Sequence, residues 1–271
     1  MTVHYGVALI NLSIFVIIFP LNTLFLWVVV RNKNLWKHWA YKIMFLIGIV
    51  NALMLISTLE AGLMSLLNKE FYYFFIIIGT IFGFIMPVVQ GLLSVVLAYN
   101  RFVVMLNFHK LNTNKAYYVL LAITALLTLA IAVTFCLLMD YFLYNLYSHA
   151  FHTTSPDNVA VIDVMLGITI SCFALASVMY FAAFWSVFHT NRLIKAQERS
   201  LLVQATLPFL WLIVTRAVSS LVQLIKDDAN AYIYTIFFNL IMRSLPIAHV
   251  VVYLACNRLE EIMLMLLKDT F

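Results

Sequence analysis

Seven long apolar runs divide the chain, each separated from the next by a short polar turn. They cover residues 6–30, 41–67, 71–106, 116–139, 159–188, 201–225 and 231–256. A helix crosses the hydrocarbon core with ~20 mostly apolar residues, and every run reaches that length. Arg31 to Lys37 forms a basic turn after the first run, and Asn68-Lys-Glu70 closes the second. The third run is the longest and contains Pro87; such a run tilts, kinks or extends past the lipid. Asp140 to Asp157 is polar and aromatic, with Ser155-Pro-Asp157 as a turn signal. Residues 190–200 are basic and polar, and Lys226-Asp-Asp228 ends the sixth run. A last stretch, Asn257 to Leu267, sets Arg258, Glu260 and Glu261 against Ile262, Met263, Leu266 and Leu267. It reads as a helix lying on the membrane surface. The pattern predicts an all-α membrane protein: a seven-transmembrane helix bundle filling residues 1–271 as one domain, plus a short C-terminal amphipathic helix.

Composition agrees, with 65% hydrophobic and 10% charged residues. Soluble domains carry about 25% charged residues, so there is too little polar side chain to coat a surface in water. The formal charge of +5 is spread over turns between apolar runs. Nucleic-acid binding, which needs a basic soluble face, is therefore not expected. Cys136, Cys172 and Cys256 lie in or beside apolar runs and give no disulfide framework. No cleavable leader is expected, since the first run can serve as its own insertion signal.

Lys and Arg distribute unequally between the two sides. One side collects twelve: Arg31, Lys33, Lys37, Lys42, Arg101, Lys110, Lys115, Arg192, Lys195, Arg199, Arg258 and Lys268. The other has two, Lys69 and Lys226, among Asp140, Asp157, Asp163, Asp227 and Asp228. The positive-inside rule makes the first side cytoplasmic and puts the N-terminus outside. An insect-type odorant receptor, with its N-terminus inside, would require the opposite bias.

Seven spans in this orientation are the plan of a G-protein-coupled receptor, and residues at the span ends extend the likeness. Tyr99-Asn100-Arg101-Phe102 closes the third run, where rhodopsin-like receptors carry an acid-Arg-Tyr triplet. Leu21-Asn22 with Val28-Val-Val30 resembles the Gly-Asn signature of their first span. Asn51 stands where they usually have a membrane Asp, and Leu245-Pro246-Ile-Ala-His249 where they read Asn-Pro-x-x-Tyr. Four blocks resemble one group more specifically, the nematode serpentine receptor class T (Srt). They are Ala40 to Asn51, Leu97 to Arg101, Glu198 to Gln204, and Leu245-Pro246 through Asn257. The related Srx class is the nearest competitor. The sequence departs from the group pattern at Asn51, in the absence of cysteine from Asn68 to Phe82, and in its very short outer N-terminus.

The resemblance implies a chemoreceptor of the plasma membrane of sensory neurons. Its partners would be a small apolar or volatile odorant, a heterotrimeric G protein and membrane lipids. Gly83, Phe84, Pro87 and Val88 would line the ligand site, with Asn239 and Arg243 from the seventh span. Arg101, Asn100 and Glu198 would form the signalling switch, and Asn22, Asn51, Gln90 and Pro246 would be structural polar or bend positions. Sodium is not expected near Asn51 and Gln90, because hard cations favour carboxylate oxygens. No cofactor is implied.

Ionisable residues inside a membrane are functional candidates by default. Glu60 and Arg216 lie toward the outer ends of their runs, where snorkelling to the interface is the plainer expectation. Arg243 is too deep for that, and an internal partner such as Glu60, Asn51 or Asn239 is expected. His149 and His152 with Asp157 could ligate a metal, but a flexible outer loop makes that a weak expectation. The Phe and Tyr residues read first as lipid-facing or interfacial belts. Asn11-Leu-Ser13 has the pattern of a glycosylation sequon but falls against the first span. No enzyme signature is present, and the seventh run lacks the lysine that a retinal Schiff base needs. A seven-helix carrier or channel remains an alternative, although seven Gly and five Pro in the whole chain offer few mid-membrane helix breaks. A degenerate, non-signalling receptor is the other.

Overall fold

The computed structural model describes residues 2–108, 110–138, 143–145, 150–152 and 156–189, with 206–207, 209–211, 213–214, 246–247 and 251–252. Lipid offers no hydrogen-bond partner to the backbone, so each apolar run must satisfy its own N–H and C=O groups by coiling into a helix. Helix α1 spans Thr2–Arg31, the short α2 Lys33–Trp36, α3 Trp39–Leu67, α4 Tyr73–Met105, α5 Asn114–Leu138 and α6 Pro156–His189. All but α2 are long and apolar enough to cross a membrane. Described residues of the sixth and seventh runs are also helical. The C-terminal amphipathic stretch 257–267 lies outside the described residues.

Local chemistry sets the helix ends. Asn32 caps α2, its Oδ1 accepting from the Asn34 and Leu35 N–H groups at 3.0 and 3.3 Å. Helix α3 stops at Asn68, which takes the left-handed conformation (φ 48°) and donates its N–H to the Met64 carbonyl, a geometry Asn tolerates better than most residues. Pro156 opens α6, the position where a missing N–H costs nothing. Helix α4, with 33 residues, is about 50 Å long at 1.5 Å per residue. That exceeds the hydrocarbon thickness and requires tilt or protrusion.

The loop between α5 and α6 adds an element that the apolar pattern does not announce. Strands β1, Leu143–Asn145, and β2, Ala150–His152, pair antiparallel with Leu143 opposite His152. The bundle is helical throughout its described part, and this hairpin is an addition at its outer end, close to α4.

Helix α4 is the hub. It packs against α3, α5 and α6, while α1 packs along α3. One core cluster joins Phe25, Met44, Ile47, Leu97, Tyr180 and Phe209 in the half nearer the basic turns. A second joins Met64, Ile76, Ile85, Val88, Phe135 and Met165 in the outer half. Ring contacts of Phe209 with Phe173 and Tyr180, at 6.1 and 5.1 Å, seat the sixth run beside α6. Ile247 of the seventh run packs against the cluster of Ile18, Val28 and Leu55 where α1 meets α3. Outward faces carry Leu126, Leu129, Val178, Phe181 and Trp185, a surface matched to lipid rather than water.

Candidate functional site

Along α4 the positions Thr80, Gly83, Pro87, Gln90, Ser94 and Arg101 recur at helical spacing and form one stripe. The stripe lies between the face toward α3, marked by Gln90 and Asn51, and the face toward α6, marked by Gly91 and Phe173. Five of the six are buried, and Arg101 is only 2% exposed. Gly83 is the exposed break in this stripe. Pro87 has no N–H to return to the carbonyl four residues earlier, and that carbonyl belongs to Gly83. The outer half of the hub helix thus presents a backbone acceptor without its usual helical donor, at a position with no side chain to cover it. Val88 is buried in the outer core. Phe84 meets Phe135 of α5 at 6.3 Å between ring centroids, so its ring engages the α5 side. Asn239 and Arg243 lie outside the described residues.

The mid-membrane polar positions are brought together pairwise. Asn22 Nδ2 donates to the Gly48 carbonyl at 2.9 Å, joining α1 to α3. Gln90 Nε2 donates to Asn51 Oδ1 at 3.2 Å, joining α4 to α3. Ser57 Oγ donates to the Gly79 carbonyl at 2.9 Å across the same pair of helices. Pro246 is buried within a helical stretch.

Glu60 corrects the snorkelling expectation. It is 8% exposed, and its Oε1 has no hydrogen-bond partner among the described residues. Glu60 lies one helical turn beyond the exposed Ile56, yet its carboxyl is buried rather than extended to the interface. Asn11 is likewise fully buried, which closes the sequon at Asn11-Leu-Ser13 to an enzyme acting on the folded chain. Arg216 is outside the described residues, as are Glu198 and His149.

At the basic end of the bundle, Arg101 stands beside a knot that sequence reasoning did not anticipate. Asn100 Nδ2 donates to Tyr117 Oη at 2.8 Å, and that hydroxyl donates to Asn112 Oδ1 at 2.9 Å. Tyr99 Oη reaches the Leu111 carbonyl at 3.1 Å. Trp39, at the start of α3, stacks on Tyr117 at 4.8 Å and donates from Nε1 to Asn114 Oδ1 at 2.8 Å. The ends of α3, α4 and α5 are therefore tied together around the two residues that precede Arg101. Tyr117 is fully buried, which removes it from the interfacial belt to which its type assigns it. The available signal was Asn112-Thr-Asn114, three polar groups at a helix start with a Tyr three residues on.

Comparison with known proteins places the architecture. The crystal structure of squid rhodopsin aligns with a TM-score of 0.63 over 92% of this chain and 77% of that one, at 11% sequence identity. The chain has the rhodopsin-like seven-helix fold of a multi-pass membrane protein. No protein-family model matches the sequence, and no curated protein is significantly similar to it.

Proposed function

We propose that the chain is a G-protein-coupled chemosensory receptor of the nematode class T type, with residues 1–271 forming one receptor domain in the plasma membrane of sensory neurons. The observation that carries the receptor reading is Arg101, buried at the basic end of the hub helix in a rhodopsin-like bundle. The finer class rests on the four sequence blocks around Asn51, Arg101, Glu198 and Pro246. The ligand is small and mostly apolar, and it enters the outer half of the bundle. Gly83, Pro87 and Val88 line its site with Phe84 at the edge, and Asn239 and Arg243 contribute from the seventh span. The Gly83 carbonyl supplies one acceptor for a ligand O–H or N–H. Ligand binding shifts the bundle between two packed arrangements by its differential affinity for them.

In this mechanism Arg101 is released toward a heterotrimeric G protein, Glu198 is its resting partner, and Asn100 fixes the adjoining turn. Expression with a G-protein reporter against an odorant panel tests the proposal. Arg101→Ala should abolish the ligand response at near-normal surface expression, and Glu198→Gln should raise basal signalling. A full ligand response in Arg101→Ala returns that residue to the positive-inside rule.

A further inference from the structure

We propose that the groove between α3 and α5, at their basic ends, binds the headgroup of an anionic phospholipid of the inner leaflet. Two lipid-facing stripes converge there. On α3 the stripe runs Phe45, Ile49 and Ile56 and is capped by Lys42; on α5 it runs Tyr118, Ala122 and Leu126 and is capped by Lys115. Trp39 fastens the two caps. Its ring lies under the Lys42 ammonium at 4.6 Å, meets Tyr118 edge-on at 5.1 Å, and is hydrogen-bonded to Asn114, the neighbour of Lys115. Lys42 is half-buried and held, whereas Lys115 and Tyr118 are exposed, Tyr118 at 63%. Trp36 stands edge-on to Phe45 at 5.3 Å, the aromatic signature of headgroup depth.

Charge and direction identify the occupant. The chain has no acidic residue before Glu60 and none between Glu70 and Asp140. Among the described residues, the acids are Glu60, Glu70, Asp157 and Asp163, all in the outer half. The two ammonium groups therefore meet no carboxylate at their own end of the described structure. The groove opens sideways onto apolar stripes that continue through the bilayer, which fits a lipid with its chains along the helices and its phosphate at the lysines. A soluble partner would leave those stripes uncovered. The site is independent of any signalling role.

Native mass spectrometry of the full chain, titrated with phosphatidylserine, phosphatidylcholine and a neutral sterol, tests it. Phosphatidylserine should be retained preferentially. Juxtamembrane lysines contribute about 1 kcal/mol each and a tenfold change is 1.4 kcal/mol, so Lys42→Gln with Lys115→Gln should lower that retention roughly thirtyfold. The charge-preserving Lys42→Arg with Lys115→Arg should keep most of it. Lys33→Gln with Lys37→Gln removes equal charge from the neighbouring turn, at residues that make none of the Trp39 contacts, and should have little effect. Equal retention of serine and choline lipids by the unmodified protein overturns the proposal, as does preferential sterol binding. An equal loss in the Lys33/Lys37 pair also overturns it, since that outcome means diffuse surface charge rather than a built site.

Discussion

The Asn51 carboxamide is already engaged, because its oxygen accepts from Gln90 across the α3–α4 contact. A sodium ion there would have to displace that donor and recover its dehydration cost from neutral carbonyls, with no carboxylate to help. Ligand affinity and basal activity should therefore be the same in sodium as in a bulky organic cation at equal ionic strength. A saturable, sodium-specific loss of agonist affinity would contradict this. Asn22, Asn51, Gln90 and Arg101 were legible in the sequence because a polar residue inside an apolar run has few reasons to be there. Tyr117 and Trp39 were not, since an aromatic near a membrane surface reads equally well as a lipid-facing belt. Only the fold shows the Tyr117 hydroxyl turned inward to Asn100 and Asn112 and the Trp39 indole N–H bonded to Asn114. Glu60 misled for a related reason: depth along a helix is readable from sequence, but the direction of one side chain near its end is not.

Between elements, small residues set the spacing. A Cβ on Gly62 of α3 would stand 3.1 Å from Leu12 Cγ and 3.2 Å from Asn11 Cβ on α1. Asn11 Cβ cannot retreat without moving its backbone. On Gly91 of α4, a Cβ would meet Cys172 and Phe173 of α6 at an ordinary 3.5 Å. Gly62→Ala should thus cost about 1–3 kcal/mol through overpacking and lower the melting temperature in detergent. Gly91→Ala should leave it unchanged or raise it, because alanine favours a helix by about 1 kcal/mol over glycine. Similar losses in both variants would show that helix spacing is not limiting at Gly62. The five described spans were legible because a bilayer leaves the backbone no alternative to a helix, so apolar length alone locates them. The hairpin was not, since Leu143–Asn145 and Ala150–His152 are each three residues long and too short to display a period of two.

For the molecule as a whole, the twelve-to-two division of Lys and Arg predicts which way the bundle sits. An epitope after Met1 should be stained on intact cells, and one after Phe271 only after permeabilisation. Staining of the C-terminal epitope on intact cells would reverse the orientation and remove Arg101 from the cytoplasm. The hairpin at the opposite end carries a consequence for rates. Neither Asn68–Phe82 nor Asp140–Asp157 contains a cysteine, so no covalent bond can fasten the hairpin to the outer start of α4. Three residue pairs hold the strands together, and an isolated two-stranded ribbon is marginal in water, forming in about 1–10 μs. Those pairs and the contact of β2 with α4 hold the ribbon, with no disulfide to slow the separation of its strands. Reductants should therefore leave the hairpin and its contact with α4 unchanged.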